Sequence, residues 1–570
     1  MRDWELQERR EEMARREVGH TRIHPLLARC LGLFFIVVIL SVPLAQHLAE
    51  FSDYRTGKRP SPWPQVYEVF SLLPTAMKAA GDSGADPLSH VFAVNRQLLK
   101  AMKAFEDALD DRSVIGKGIR PRIQQLLTML GAGNEKAYCA IRPWLFYRPG
   151  IDYLMGPPFL DPARLRKRSA EVGEWADPVE PDPRPAILQL QRQLGQRGIT
   201  LIIVPTPIKA MIHPEKMWGR YAGRTTELQN PSFASFKEAM EREGVLVFDP
   251  APALMRAKAQ GGEAYLAADT HWRPEAMEGV VKELKAFIQE RVSLPPLPPT
   301  GYRSERAEVA QLGDLAGMLD LPQAQELFPR EKVTVERVLT AAGEPWQPQQ
   351  TADVLVLGDS FSNIYSLGAM GWGEGGGFVE QLSCALQRPL DRIARNDNGS
   401  YATREILAAE LAKGKDRLEG KRLVIYQFAI RELAVGNWKK IDLKAGDAPR
   451  KQYLSFAAGE GRTVSGIVEA VSLVPRPGTV PYKDHVMTLL LTDLKEKGRP
   501  LAEARAMVYL RSMTDNVWTE AARYRPGDPV VLSLSSWADA ALRYEGINRS
   551  ELDDPALQLV EPCWGEPARP

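Results

Sequence analysis

The sequence predicts an α/β fold in which a parallel sheet is flanked by helices. A transmembrane helix and a helical stalk precede it, and a small β-barrel or sandwich domain follows. Three observations predict this class: apolar strand-like runs alternate with amphipathic segments mid-chain, one uncharged apolar stretch lies near the N-terminus, and short strand-like runs fill the C-terminal part. We expect a cytoplasmic tail, an anchor, a helical linker, the α/β domain and a β-rich (OB-like) domain at residues 1–25, 26–48, 49–139, 140–440 and 441–570.

Length and composition indicate a folded protein of several domains. With 570 residues, 44% hydrophobic and 25% charged, the chain is too long for one ordinary domain and too apolar for a disordered one. A net charge of +1 gives no reason to expect a nucleic-acid partner. Net charge says nothing about uncharged substrates, so a sugar polymer is still a possible substrate. The cysteines lack metal-ligand spacing, so no metal and no cofactor is expected. A disulfide among Cys139, Cys384 and Cys563 is left open, although buried free thiols are preferred.

Residues 26–48 form the membrane segment. The stretch from Cys30 to Ala45 carries no charge, and Arg29 can extend to the interface, so the span reaches the roughly 20 residues that a bilayer requires. The residues before Ala45 do not suit a cleavage site, which favours a retained single-pass anchor over a signal peptide. Seven arginines lie in the first 29 residues, and fewer basic residues follow the span closely. The positive-inside rule therefore places the N-terminus in the cytoplasm and the rest of the chain outside.

The stalk and the sheet follow the anchor. Apolar positions from Pro64 to about Lys136 are spaced by three and four, which predicts helices without a chemical motif. Buried parallel strands are predicted at 199–205, 245–250, 353–359 and 422–428. Amphipathic helices are predicted at 185–196, 233–243, 276–292, 378–387 and 403–413. The proline-rich segment 293–304 is expected to begin an excursion that rejoins the sheet near Val335.

The sequence pattern of the tail after about Tyr453 is typical of a β domain. Strands are predicted at 463–474, 485–494, 506–513 and 529–537, with turn-rich stretches between some of them. Five aromatic residues could form platforms for sugar rings or pack in the core, and core packing is preferred for most of them: Trp518, Tyr524, Trp537, Tyr544 and Trp564.

The strongest chemical signal is VLVLGDSF, in which an apolar strand runs into Gly358, Asp359 and Ser360. Ser360 is thereby placed at the carboxyl edge of a parallel sheet, where α/β proteins build their sites. Gly358 permits a tight turn, and the backbone N–H after the turn can face an oxyanion. The alternative is a serine that only caps the next helix.

A second signal is AADTHWRPEA, which holds Asp269 and His271 in a polar loop before a helix. A serine needs a base to remove its proton, and a carboxylate on the other imidazole nitrogen orients that base. The alternatives are a helix-capping Asp beside a surface His, and a metal pair, for which no third ligand stands at motif spacing. Together the two motifs supply nucleophile, base and orienter.

The two motifs resemble those of SGNH hydrolases, in which the Asp-x-His pair normally follows the serine. Here it precedes the serine by about 90 residues, an order that resembles the alginate O-acetyltransferase family (AlgJ/AlgX-like). Three further stretches resemble this family: WLFYRPGIDYL at 144–154, VPTPIKAMIHPEKM at 204–217 and VIYQFAIREL at 424–433. The resemblance covers roughly residues 140–440 and not the tail.

The resemblance implies a periplasmic enzyme of the bacterial inner membrane that O-acetylates an exported polysaccharide. Its implied partner is a multi-pass membrane O-acyltransferase that brings acetyl groups across. Ser360 would be the nucleophile, His271 the base and Asp269 its orienter. Two rivals remain: a carbohydrate acetylesterase with the same triad, and a non-catalytic polysaccharide-binding scaffold of an export complex.

The sequence signals for the other expected site residues are less specific. The Ser360 N–H is one oxyanion donor, while Asn398 and the glycines of 371–378 are weaker ones, with a turn and a mobile loop as their alternatives. Lys209 and Tyr365 are expected to line the cleft, although a solvated lysine and a packing tyrosine fit equally. Arg431 is expected to be structural.

Overall fold

The computed structural model describes residues 24–56, 62–80, parts of 91–109, 113–170, 179–446 without 323 and 413, and 453–568 without 478–479, 481, 502, 504, 553–556 and 558–559. The chain divides into two units, Met1–Ile123 and Gln124–Pro570. Nearly all of the expected cytoplasmic tail and the middle of the helical linker lie outside the described residues, and the expected domain boundaries stay predictions.

The described part of the first unit begins with a long apolar helix, α1, at Pro25–Arg55. Pro25 suits the first turn because it has no N–H to satisfy, and the His24 ring accepts a hydrogen bond from the Leu26 N–H at 3.3 Å. Its 31 residues include the whole of the expected span 26–48, so by length and composition the helix can cross a membrane. Two helices follow, the second continuing into the next unit: α2 at Val69–Ala80 and α3 at Val114–Met129.

A five-stranded parallel sheet forms the core of the second unit. The strands up to residue 430 are β1 Ala137–Cys139, β2 Leu145–Tyr147, β3 Thr200–Thr206, β4 Leu246–Val247, β5 Arg303–Gln311, β6 Glu331–Leu339, β7 Val354–Gly358, β8 Asp391–Ala394 and β9 Leu423–Ala429. The sheet order is β4-β3-β9-β7-β8, and β1 and β2 form a separate antiparallel pair. Every residue of β7 and β9 is buried, as expected for strands covered on both faces.

Helices cover the two faces of this sheet. They are α4 Arg148–Met155, α5 Pro162–Ala170, α6 Pro183–Gly195, α7 Lys209–Ile212, α8 Pro214–Met217, α9 Phe233–Arg242, α10 Ala251–Ala259, α11 Pro274–Arg291, α12 Asp314–Met318, α13 Ser360–Asn363, α14 Phe378–Leu386, α15 Ala402–Ala412 and α16 Glu432–Val435. All five helices predicted from periodicity are present within two residues of their predicted bounds. Polar side chains cap the ends of some of these helices. At the start of α6, the Asp182 carboxylate accepts a hydrogen bond from the Arg184 N–H at 3.0 Å.

Two features of the sheet region differ from the prediction. The segment expected to rejoin the sheet near Val335 instead forms an antiparallel hairpin of its own from β5 and β6, paired from Arg303↔Leu339 to Gln311↔Glu331. The chain returns to the sheet only at β7. The edge strand β8 was not predicted, because its four residues include Asp391 and Arg392 and lack an apolar run.

The C-terminal region is a five-stranded β-barrel, one of the two architectures expected. Its strands and added elements are β10 Gly461–Val471, β11 His485–Glu496, β12 Arg499–Pro500, β13 Arg505–Thr514, β14 Val517–Trp518, β15 Pro529–Ser536, β16 Asn548–Ser550, β17 Cys563–Pro567 and helix α17 Trp537–Tyr544. The sheet closes in the order β11-β10-β15-β17-β13-β11. The four long strands were predicted, whereas the closing strand β17, with its glycine and proline, was not.

Several of the aromatic side chains singled out in the tail pack inside this region. Tyr544 and Trp564 are buried and stack with ring centroids 4.2 Å apart. The Trp537 ring contacts Tyr509 edge-on at 4.9 Å. Core packing therefore accounts for these aromatic residues. Cys30, Cys139, Cys384 and Cys563 are free thiols.

Candidate active site

The turn after β7 places Ser360 at the carboxyl edge of the sheet. Ser360 is the first residue of α13, and the Asp359 carboxylate caps this helix by accepting the Phe361 N–H at 2.9 Å. The same carboxylate accepts hydrogen bonds from the Gln427 side chain at 2.8 Å and from the Ala429 N–H. Gly358 has no room for a side chain, because a Cβ would lie 2.4 Å from the Ser362 hydroxyl oxygen. The turn that carries Ser360 is thus fixed to the neighbouring strand β9.

The second motif places an imidazole against a carboxylate. His271 Nδ1 lies 2.7 Å from Asp269 Oδ1, and both side chains are buried. His271 Nε2 is removed from solvent and has no hydrogen-bond partner among the residues that the structure describes. The imidazole packs against Phe361, the residue after Ser360, with ring centroids 4.9 Å apart. The two motifs, 91 residues apart in sequence, therefore meet in one place, with one imidazole nitrogen free to exchange a proton.

Two unpredicted residues, one through its side chain and one through its backbone, hold Asp269 in place. Its Oδ2 accepts the Trp372 indole N–H at 2.9 Å and the Asp314 backbone N–H at 2.9 Å. Trp372 lies in the glycine-rich segment that the sequence had marked, between Gly371 and Gly373, whose φ angles are +81° and +87°. Asp314 lies within the excursion after α11, between β5 and β6, and no sequence motif predicts its role.

The pKa values of the carboxyl groups and the imidazole in this site are shifted from their ordinary values. Burial would raise the pKa of Asp269, but the hydrogen bond and charge of His271 and the N–H donors bring it down to about 2. Burial opposes protonation of His271, yet the hydrogen bond and charge of Asp269, aided by Asp314 and Asp359, raise its pKa above the ordinary value. Asp314 has no such donor set, and burial beside the Asp269 charge raises its pKa to about 7. The site therefore holds an ionised carboxylate and a second carboxyl that is easily protonated.

Asp269, His271 and Asp314 could also offer one ligand atom each to a cation, since these atoms lie within 4.8 Å of one another. The contacts favour hydrogen bonding instead. Asp269 Oδ1 faces Nδ1 at hydrogen-bond distance, its Oδ2 already accepts two N–H donors, and Asp314 Oδ2 is 3.8 Å from Nδ1. The donor set fits an oriented imidazole better than a metal centre.

The remaining expected site residues have contacts of their own. The buried Lys209 ammonium donates to the carbonyls of Leu145 and Ala267, at 2.7 and 3.0 Å, and so ties the Asp-x-His loop to β2. Burial lowers its pKa to about 8, against the raising effect of the carboxylates around it. The buried Tyr365 hydroxyl donates to the Trp272 carbonyl at 2.6 Å.

Asn398 occupies a turn. It is exposed and has a φ of +51°, and its carbonyl accepts the N–H groups of Tyr401 and Ala402 at the start of α15. These contacts match the structural alternatives for Tyr365 and Asn398. Their roles toward substrate or oxyanion stay predictions.

Comparisons with known proteins find similar sequences and structures. Residues 169–430 match the family model described as "SGNH hydrolase-like domain, acetyltransferase AlgX". A "Probable alginate O-acetylase AlgJ" of Pseudomonas aeruginosa is 28% identical over 275 residues, which cover 47% of this chain and 67% of that protein. Its counterpart in Azotobacter vinelandii is 24% identical over 292 residues, covering 50% and 70%. The chain thus matches about two thirds of the length of these relatives.

Among solved structures, the "O-Acetyltransferase Domain of Pseudomonas putida AlgJ" is similar to this chain. It has a TM-score of 0.40 and 19% identity, and the similarity covers 53% of this chain and 93% of that one. The C-terminal barrel lies beyond the residues that match the family model.

Proposed function

We propose that this chain is a member of the alginate O-acetyltransferase family and transfers acetyl groups to hydroxyls of an exported polysaccharide, because its residues 169–430 match the SGNH hydrolase-like, AlgX-type family model. The observation that carries the proposal is the His271 imidazole, oriented by Asp269 at 2.7 Å, with Nε2 unpartnered among the described residues beside the turn of Ser360. A buried base without a partner is suited to receive a hydroxyl proton.

In the proposed mechanism, the Ser360 hydroxyl attacks the carbonyl carbon of an acetyl donor while His271 Nε2 takes its proton. The tetrahedral intermediate collapses to an acetyl ester of Ser360, and the leaving group departs with that proton. A sugar hydroxyl then attacks the ester and gives its proton to His271. Collapse restores Ser360 as the leaving alkoxide, which recovers the proton, and releases the O-acetylated sugar. Asp269 stays ionised and stabilises the imidazolium in both halves.

The backbone N–H of Ser360 is the first proposed oxyanion donor. Ser360 stands at the first position of α13, where an N–H has no partner within the helix. The positive end of the helix dipole adds a small favourable term for developing negative charge. This geometry supports acyl transfer more directly than a purely structural role for the turn.

We place the enzyme in the periplasm, held to the inner membrane by α1 with its N-terminus in the cytoplasm. The charge distribution of the first 29 residues supports this orientation. A periplasmic enzyme has no cytoplasmic acetyl donor within reach, so the acetyl groups must be brought across. The proposed partner is a multi-pass membrane O-acyltransferase, and the proposed acceptor is the exported polymer.

Acetyl labelling tests the proposal directly. The full chain is incubated with a chromogenic acetyl ester, quenched, digested and analysed by mass spectrometry. We expect the acetyl mass on the peptide that contains Ser360, and its loss in Ser360→Ala. Ser533→Ala, which changes an exposed serine of the barrel strand β15, is the matched control and should keep the label. An unlabelled wild-type protein, or full polymer acetylation by Ser360→Ala, would rule out the acetyl-serine route.

The same assay separates transfer from hydrolysis. With an oligosaccharide acceptor present, a transferase should deliver the acetyl group to the sugar and turn over faster. Acetate release that does not respond to any acceptor would identify an acetylesterase instead.

A further inference from the structure

A buried glutamine lies in the central strand β9, next to the turn that carries Ser360. The strand reads LVIYQFA, and all of its residues are buried, Gln427 included. Burying an amide is costly unless both its oxygen and its NH2 group find partners. In the sheet, Tyr426 pairs with Leu357 of β7. Gln427 therefore stands level with Gly358, where the turn to Ser360 begins.

The amide oxygen of Gln427 binds the turn on both sides of Ser360. It accepts the Asp359 backbone N–H at 3.0 Å and the Ser362 hydroxyl at 2.6 Å. A Cβ at Gly358 would lie 2.4 Å from that hydroxyl oxygen and 3.4 Å from the amide oxygen. Glycine at position 358 thus leaves the room that this close approach requires.

The NH2 group of the same amide binds the turn a third time. It donates to the Asp359 carboxylate at 2.8 Å and to the Thr206 hydroxyl oxygen at 3.0 Å. The orientation of the amide is fixed, because its oxygen faces a backbone N–H that can only donate. Thr206 is the last residue of β3. One side chain therefore joins β3, β9 and the turn after β7 through four hydrogen bonds.

The carboxylate that Gln427 binds also connects the turn to the imidazole. Asp359 accepts the Phe361 N–H at 2.9 Å, and the Phe361 ring packs on His271 with ring centroids 4.9 Å apart. The charge of Asp359 is one of those that raise the pKa of His271. A change in the contact between Gln427 and Asp359 would thus reach both the proposed nucleophile and its base.

We propose that Gln427 is a positioning residue for acyl transfer, which sets the place of Ser360 relative to His271 by binding the turn on both sides of the serine. The inference rests on the proposed acetyltransferase function. All four hydrogen bonds of the amide go to the chain itself, so Gln427 acts through the turn and not on the acetyl group. A neutral amide donates to Asp359 and accepts from its N–H at any pH, whereas a carboxyl group can do both only while it is protonated.

This difference between an amide and a carboxyl group provides the test, in the isosteric variant Gln427→Glu. At low pH the two carboxyl groups at positions 427 and 359 share a proton, which takes the place of the amide N–H. As pH rises the pair loses this proton, and two negative charges repel each other at the turn.

The rate constant for acetylation of Ser360 is measured in the full chain with a chromogenic acetyl ester, from about pH 5 to about pH 9. We expect the ratio of the Gln427→Glu rate constant to that of wild type to fall by ~10- to 100-fold as pH rises, the range of a hydrogen bond to a charged group. The KM for the ester should stay near the wild-type value, because the amide does not touch the ester.

The ratio of rate constants isolates the pair of carboxyl groups from its surroundings. Four titratable or charged groups lie near the pair, on the Asp-x-His loop, on β9 itself and directly after β9: His271, Tyr426, Arg431 and Glu432. They are present in both proteins, so their titration cancels from the ratio. Gln427→Met, which has no titratable group, should be slower than wild type by a factor that does not change with pH.

Gln381→Glu is the matched control. Gln381 is a buried glutamine of α14 that donates to the Glu336 carbonyl, so the variant places a carboxyl group elsewhere in the same domain. Its Tm should decrease, but its ratio of acetylation rate constants should stay flat with pH. A merely structural role of Gln427 would likewise lower the Tm and the number of active sites, without changing the rate constant of each site.

A flat ratio for Gln427→Glu, or a wild-type rate constant in Gln427→Met, would overturn the inference. If wild-type protein forms no acetyl-Ser360, the proposed function fails, and the comparison is repeated with a sulfonyl fluoride, which modifies activated serine hydroxyls. Modification of Ser360 that falls with pH in Gln427→Glu relative to wild type supports the positioning role. A flat ratio, or a wild-type Ser360 that does not react, refutes it.

Discussion

Two aspartates lie within a few ångströms of the same imidazole, yet they carry different charges. Asp269 is surrounded by donors from His271, Trp372 and the Asp314 backbone, and these outweigh its burial. Asp314 receives the Thr270 N–H at 2.7 Å but faces the charge of Asp269. Environment and not residue type therefore decides which carboxylate orients the base.

This difference predicts how Asp314→Asn changes stability with pH. Since burial raises the pKa of Asp314 from 3.8 to about 7, the unfolded chain releases a proton between these values that the folded chain retains. The free energy of unfolding of the wild-type protein therefore decreases as pH rises through this window. Replacing Asp314 with asparagine removes this decrease. We expect the Tm of Asp314→Asn relative to wild type to increase from about pH 4 to about pH 8, measured by thermal unfolding.

Asp320→Asn provides the control, because Asp320 is exposed and asparagine tolerates its φ of +52°. Its Tm difference from wild type should stay flat with pH. A flat difference for Asp314→Asn as well would show that Asp314 titrates normally.

At the scale of elements, the segment after β5 positions the loop of Asp269 and His271. Gly313 has a φ of +93°, and a Cβ there would lie 2.4 Å from the Ala268 carbonyl oxygen. This close approach lets the following residue, Asp314, donate its N–H to Asp269. The β5–β6 hairpin is outside the main sheet, but it carries the chain to this contact.

Gly313→Ala should therefore damage both stability and catalysis. The Gly313 backbone, with φ of +93° and ψ of +149°, lies in a region open essentially to glycine alone and costs about 1–3 kcal/mol for other residues, and the clash with a backbone oxygen adds to this. We expect a lower midpoint in urea unfolding and a loss of acetyl-Ser360 formation. Gly317→Ala, four residues on in α12, meets no atom within 4 Å and should be tolerated. Equal behaviour of the two variants would refute this role of Gly313.

Sequence patterns predicted the strands and helices that are determined by residues close together in the sequence. Apolar runs identified β3, β7 and β9, and periodicity identified α6, α9, α11, α14 and α15. The Ser360 and Asp269–His271 motifs could be found because the chemistry demands fixed residue types at short spacing. Trp372 and Asp314 could not, because each reaches Asp269 from a distant segment and meets no local rule. The hairpin β5–β6 and the strand β17 were missed since long-range pairing, not composition, determines their place.

At the scale of the whole second unit, the barrel is hydrogen-bonded to the loop behind Ser360. Asn548 Oδ1 accepts the Asn396 N–H at 2.9 Å, and Asn396 Oδ1 accepts the Asn363 amide at 2.7 Å. Asn363 ends the short helix that Ser360 begins. Arg395 also donates to the Ile547 carbonyl at 2.9 Å. The barrel therefore supports the site through a continuous chain of hydrogen bonds.

Asn548→Ala should consequently weaken the enzyme from outside its catalytic domain. It leaves the buried Asn396 N–H without its acceptor, at a cost of about 1–3 kcal/mol. We expect a lower Tm together with slower acetylation of Ser360. Leu542→Ala, at a side chain 85% exposed on α17, is the control and should change neither quantity. Normal acetylation by Asn548→Ala would show that the barrel is catalytically independent.

The strand order has a consequence for biosynthesis. Strand β9 lies between β3 and β7, yet it is the last of the five to leave the ribosome. Until then a nascent chain holds two unpaired apolar strand edges, each able to bind the wrong neighbour. A nascent chain would thus benefit from a chaperone until residue 429 emerges, and chains truncated shortly before it should aggregate.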